Sequence, residues 1–94
     1  AVNNENGVAT LEMLKSLVAY SNPDYLTYDS NATQAEWEAG NLALATMWGS
    51  RGSAVLDDEG STTDVVAGTV LSAAPTWGNG ARPASTLWWD GIAI

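Results

Sequence analysis

The chain contains neither cysteine nor histidine, and these two absences exclude several kinds of site at once. Without cysteine there is no disulfide to stabilise a small fold and no thiolate to bind zinc. Without histidine, the most common general base and metal ligand is missing. We therefore expect no catalytic residues, no metal and no cofactor. A cysteine-free chain suits an oxidising compartment as well as a reducing one, so cysteine usage does not reveal the compartment.

Basic residues are also scarce. Three Lys and Arg residues against eleven Asp and Glu residues give a formal net charge of −8. Nucleic acids and anionic membrane surfaces attract basic proteins, so this charge argues against both as partners. No stretch of the sequence approaches the roughly 18 consecutive apolar residues that suggest a membrane-spanning helix.

The aromatic residues are unusual, with five Trp, three Tyr and no Phe. Trp and Tyr combine an apolar face with a hydrogen-bonding edge, so they suit ligand clefts and interfaces as well as cores. The 94 residues make at most one small domain, which cannot fully bury five indoles. We expect some of them to contact a ligand, a partner or another part of a longer protein. The chain ends on an apolar run, Gly91–Ile94, which predicts an internal fragment whose exposed faces favour self-association.

Two helices are predicted in the first half of the chain. Apolar residues recur at helical spacing from Val8 to about Tyr20, and Pro23 follows as a breaker. A second helix is predicted to open at Asn31, whose side chain can cap the first turn. Gly40 is predicted to end this helix, because glycine adopts the left-handed conformation of a C-terminal cap without steric cost.

Three later segments resemble β-strands because they are apolar runs bounded by turn residues. They are residues 42–48, residues 65–75 and residues 86–94, the last interrupted at Asp90 and Gly91. A short helix is predicted from Ser50 to Asp57, and Asn79-Gly80 predicts a hairpin turn. The order helix, helix, strand, helix, strand, strand predicts an α/β fold for residues 1–94 as a single unit.

The ends of the predicted strands are where a binding site is expected, because ligands of open α/β sheets lie at the carboxyl ends of strands. Adjacent residues of a strand point to opposite faces, so one of Trp88 and Trp89 would face the ligand, and we favour Trp89. The candidate binding residues are Trp48, Gly49, Ser50 and Arg51 after the first strand, and Trp89, Asp90 and Gly91 at the break in the last.

These residue types suit a carbohydrate. An indole can stack on the apolar C–H face of a sugar, while Arg51 and Asp90 offer paired hydrogen bonds to hydroxyl groups. Each role has an alternative. The indoles could pack in a core, Asp90 could belong to a turn, and Arg51 could form a surface ion pair with Asp57 or Asp58, which would be worth little.

The order of three motifs resembles one protein family. The motifs are WEAGNLALATMWGS at residues 37–50, LSAAP at residues 71–75 and WWDGIAI at residues 88–94. Together they resemble the sugar-binding family of bacterial extracellular solute-binding proteins, which includes maltose-binding protein. The resemblance implies part of the second, C-terminal-type lobe of a two-lobed receptor with a periplasmic-binding-protein type II fold.

The same resemblance implies a function in transport. Receptors of this family bind a sugar or polyol between two lobes in the periplasm and deliver it to the membrane subunits of an ABC importer, without catalysis. The first lobe would then be a missing partner of this segment. Residues 48–51 and residues 88–91 would face the cleft, and which of Met47, Trp48 and Ser50 touches the ligand stays open.

Two other classes account for part of the sequence. A glycosidase needs paired carboxylates, and Glu36, Glu38, Asp57, Asp58 and Asp90 are available, but these fall on predicted helix surfaces or in one hydrophilic turn. A freestanding carbohydrate-binding module would explain the Trp count without a second lobe. Such modules are more often all-β, and the two predicted amphipathic helices count against this class.

Overall fold

The structure is a computed structural model that describes residues 2–57, 60–80 and 82–94. In those residues all regular structure is helical, so the predicted α/β fold is wrong. The α-helices are α1 (Glu5–Leu17), α2 (Ser30–Glu38), α3 (Gly49–Asp57) and α4 (Thr63–Gly68), and short 3-10 helices span Val18–Tyr20 and Tyr25–Thr27. None of these helices has the length and apolar character needed to cross a bilayer. The chain divides into two compact units, residues 1–32 and 33–94.

Helix α1 confirms the first predicted helix but begins before Val8. Asn4 caps it, because its side-chain oxygen accepts a hydrogen bond of 2.9 Å from the backbone N–H of Gly7. Glu5 lies in the first turn and Lys15 in the last, where each charge is favourable to the helix dipole. A capping asparagine in the polar N-terminal segment therefore extends the helix beyond its apolar stripe.

The apolar stripe of α1 is not buried. Val8, Leu11, Leu14 and Leu17 are exposed by 51%, 68%, 49% and 51% of their surface. Amphipathic helices gain most of their stability by burying this stripe against another element. The stripe of α1 is therefore an uncovered apolar surface.

Helix α2 confirms the second predicted helix and its end, but not its cap. The side chain of Asp29, and not that of Asn31, accepts from the backbone N–H of Ala32 at 2.8 Å. Gly40 has a φ of 79°, as predicted for a C-terminal cap. Its N–H donates to the carbonyl of Trp37 at 2.9 Å. The next amide donates to the carbonyl at position 36, which completes a Schellman motif.

Residues 33–94 contain a small core around α3. Val55 is fully buried, and Gly52 is buried one turn earlier on the same helix. A Cβ placed on Gly52 would lie 3.2 Å from Cδ2 of Leu71 and 3.8 Å from Cη2 of Trp37. The indole N–H of Trp37 donates to Oγ1 of Thr69 at 3.3 Å. The core thus joins α2, α3 and the segment that follows α4.

The three predicted strands are wrong. Residues 42–48 are irregular, and Leu44 is 93% exposed instead of buried. Residues 65–68 belong to α4, and residues 69–75 and 86–94 are irregular. A strand needs a neighbouring backbone with which to exchange hydrogen bonds. Apolar and β-branched residues predict a backbone suited to a strand, but they do not supply that neighbour.

The predicted hairpin is wrong as well, although a turn exists at its position. The N–H of Gly80 donates to the carbonyl of Trp77 at 2.8 Å, and Gly78 has a φ of 55°. A backbone hydrogen bond of 2.9 Å, from Ala84 to Pro75, spans the turn, but the described residues on its two sides form no ladder. A lobe of the periplasmic-binding-protein type II fold is built on a sheet, so this part of the prediction also fails. The short helix predicted after Trp48 is confirmed as α3.

We expect Gly40→Ala to lower the free energy of unfolding by about 1–2 kcal/mol, because alanine is strained at a left-handed φ. The added Cβ would also lie 3.3 Å from Cγ2 of Val65. Denaturant titration followed by far-ultraviolet circular dichroism measures the change. The matched control is Gly68→Ala, where a Cβ meets nothing within 4 Å. The control should be neutral or stabilising, and equal losses in the two variants would contradict the assignment.

We expect Leu11→Glu to reduce self-association, because a charge would interrupt the uncovered apolar stripe of α1. Light scattering at two protein concentrations and raised salt, where repulsion between acidic copies is screened, measures the change. Ser16→Glu adds the same charge to the opposite side of the helix and should leave the association unchanged. Association that is indifferent to both substitutions would show that the stripe is not responsible.

Candidate functional site

The indole rings of Trp48 and Trp88 are in contact. Their centroids lie 6.3 Å apart and their planes meet at 81°, an edge-to-face arrangement that aromatic pairs favour. Trp48 directly precedes α3, and its carbonyl accepts from the amides of Arg51 at 2.9 Å and Gly52 at 3.2 Å. The first turn of α3 therefore fixes the backbone of one indole, and the other comes from the irregular segment after α4.

Both rings remain accessible. Trp48 is 47% exposed and Trp88 is 71% exposed. The two ring planes meet nearly at a right angle, with the edge of one ring towards the face of the other, on the surface of residues 33–94. We call this pair of side chains the Trp48–Trp88 corner.

The contact involves Trp88, whereas the predicted site contained its neighbour Trp89. Trp89 is 82% exposed, and its ring lies against the backbone of Gly91, where a Cβ would be 3.1 Å from Cη2 of the indole. In a strand, adjacent residues point to opposite faces, so the sequence predicts that only one of Trp88 and Trp89 faces a ligand. With no strand present, alternation does not apply, and no sequence signal distinguished the two.

Arg51 connects the start of α3 to α2. Its Nη1 donates to Oε1 of Gln34 at 2.8 Å, and Nε2 of Gln34 donates to Oε1 of Glu38 at 2.6 Å. The sequence predicts that Arg51 either hydrogen-bonds to ligand hydroxyls or forms an ion pair with Asp57 or Asp58. It does not predict the hydrogen bond to Gln34. Asp58 lies outside the described residues. The guanidinium is half-buried and positions the first turn of α3 against α2.

The other predicted site residues are exposed, and they are close to Trp48 or Trp88 in the sequence. Gly49 is the first residue of α3, and Ser50 is exposed in the first turn. Asp90 and Gly91 follow the tryptophan pair and are also exposed. The structure therefore brings the segment after residue 47 together with Trp88. It leaves Asp90 and Gly91 on the exposed stretch beyond it.

The chemistry that this arrangement offers is binding by aromatic faces, with the hydroxyl of Ser50 and the carboxylate of Asp90 each two positions along the chain from an indole. In the described part of the chain, no three His, Cys, Asp or Glu side chains are grouped so that they could hold a metal ion. Indole faces attract apolar C–H surfaces and positive charge.

The chain matches no protein-family model, no curated protein and no solved structure. The resemblance to sugar-binding receptors therefore stays a prediction from the residue pattern.

We expect a double-mutant cycle on Trp48→Ala and Trp88→Ala to give a coupling free energy of roughly 0.5 kcal/mol. This value is at the lower end for edge-to-face pairs, because both rings are partly solvated. Denaturant unfolding of the four proteins measures it. A cycle on Trp48 and Trp77 is the matched control and should give no coupling. Additive effects in both cycles would show that the ring contact is not formed in solution.

Proposed function

We propose that this chain captures a sugar or polyol on the Trp48–Trp88 corner, as part of an extracytoplasmic receptor that serves an ABC importer. The observation that carries the proposal is the contact between two indoles that stay accessible to solvent. Monomeric proteins normally bury tryptophan more completely, and paired, accessible rings suit a ligand with an apolar face.

A carbohydrate fits this surface because it combines apolar C–H faces with polar edges. One indole can lie flat against the C–H face of the sugar ring while the second contacts the adjacent side. The exposed hydroxyl of Ser50 and the exposed carboxylate of Asp90 lie two positions along the chain from Trp48 and Trp88. Both are groups that hydrogen-bond to sugar hydroxyls.

The two halves of the proposal have different support. Binding of a carbohydrate is supported by the ring pair and no longer depends on strand ends. Delivery to the membrane subunits of an importer, and a periplasmic location, are supported by the resemblance of the three sequence motifs to the receptor family. In this proposal the ligand is bound and released unchanged.

A freestanding carbohydrate-binding module is the second candidate. The open position of the corner favours it, because an accessible aromatic surface can hold a sugar without a second wall. The two candidates differ in what the 94 residues do alone. A module binds sugar by itself, whereas a receptor segment binds it weakly or not at all until the rest of the receptor is present.

We expect Trp48→Ala to weaken sugar binding by roughly 1–3 kcal/mol, the scale of a lost aromatic contact. The measurement is a titration of the longest available form of the protein with a sugar panel, followed by tryptophan fluorescence or calorimetry. Trp77→Ala is the matched control, since Trp77 is similarly exposed at 54% but belongs to the turn. Unchanged affinity in the Trp48 variant would remove this residue from the site.

An assay for released reducing ends separates binding from hydrolysis. Binding without release of reducing ends is expected for both the receptor and the module. Turnover would overturn the proposal in favour of a glycosidase.

A further inference from the structure

The Trp48–Trp88 corner has an electrostatic character of its own. The face of an indole carries negative potential from the ring quadrupole, and a cation over that face is attracted. At 81°, the edge of one ring lies towards the face of the other, so a small group beside the contact can approach a face of each ring. The corner therefore favours a group that is compact and positively charged over one that is merely apolar.

The charged residues of the unit 33–94 also favour a cation. Residues 33–94 contain seven acidic residues and two arginines, a net charge of −5. Asp90 is exposed two positions after Trp88. The negative field of these groups raises the local concentration of cations and disfavours anions.

The nearest opposing charge in the sequence is that of Arg51, three positions after Trp48. Its guanidinium is half-buried and donates a hydrogen bond to Gln34. The amide of Gln34 donates in turn to the carboxylate of Glu38. The positive charge is thus held towards α2 and partly compensated there.

We infer that the Trp48–Trp88 corner selects cationic sugars, and that its ligand class is a sugar bearing a protonated amine. This inference rests on the proposed function, since the ammonium group is carried by a carbohydrate. The ammonium lies over the indole faces, and the ring hydroxyls remain available to Ser50 and Asp90. Uronic acids, which carry a carboxylate, are disfavoured by the same field.

The test compares three sugars with the same ring skeleton at a mildly acidic pH, where the amine is protonated. They are glucosamine, its neutral N-acetyl derivative and glucuronate. The longest available form of the protein is titrated with each while tryptophan fluorescence is followed. We expect glucosamine to bind about two- to fivefold more tightly than the N-acetyl sugar, the scale of an exposed cation–π contact. Glucuronate should bind most weakly.

Three substitutions test which residues cause the preference. Trp88→Leu keeps an apolar side chain but removes one of the two ring quadrupoles, so it should reduce the preference for glucosamine over the N-acetyl sugar. Trp77→Leu is the matched control and should preserve it. Asp90→Asn should reduce the preference without abolishing it, and raised salt should reduce the discrimination against glucuronate.

The outcomes separate the inference from the proposed function. Equal affinities for the three sugars would overturn the inference and leave sugar binding intact. A preference that is undiminished in Trp88→Leu would also overturn it, because the ring of Trp88 would then make no contribution to binding the cation. Absence of binding to all three sugars, and to the wider sugar panel, would overturn the proposed function and with it the inference.

Discussion

The close approach of α3 to its neighbours at Gly52 determines the arrangement of residues 33–94. A side chain there would meet Leu71, and the ring of Trp37 lies just beyond, so the absence of a Cβ allows three segments to come together. The fully buried Val55 is on the same helix. Because Trp48 immediately precedes α3, the packing that places this helix also places the indole. An aromatic surface is thus supported by a core of few residues, with the hydrogen bond from Trp37 to Thr69 holding the segment after α4.

Local signals in the sequence predicted α1, α2 and α3, whereas α4 was predicted as part of a strand. Regular spacing of apolar residues indicated α1, and the glycine at position 40 indicated both the end of α2 and its left-handed backbone. These features depend on residues within a turn or two of one another. The first residues of the helices were predicted less accurately, because several neighbouring polar residues could cap each helix. The hydrogen bonds in the structure identify Asn4 and Asp29 as the caps.

The strands could not be predicted in this way, because a strand is defined by its partner. Residues 42–48 have the composition of a buried strand, yet Leu44 is almost fully exposed and no ladder forms in the described residues. The contact between Trp48 and Trp88 was only partly predicted, for a similar reason. Trp48 follows from a local boundary between an apolar run and a helix. Its partner, Trp88, depends on a contact between distant parts of the chain, which no periodicity encodes.

The hydrogen bond from Arg51 to Gln34 links the start of α3 to α2, and within α2 Gln34 donates in turn to Glu38. Because Trp48 immediately precedes α3, a change in how α3 packs on α2 would move this indole relative to Trp88. The geometry of the aromatic surface is therefore set partly by polar side chains on a helix that contributes no ring to it. Sequence variation on that face of α2 would alter the shape of the surface while every aromatic residue stayed in place.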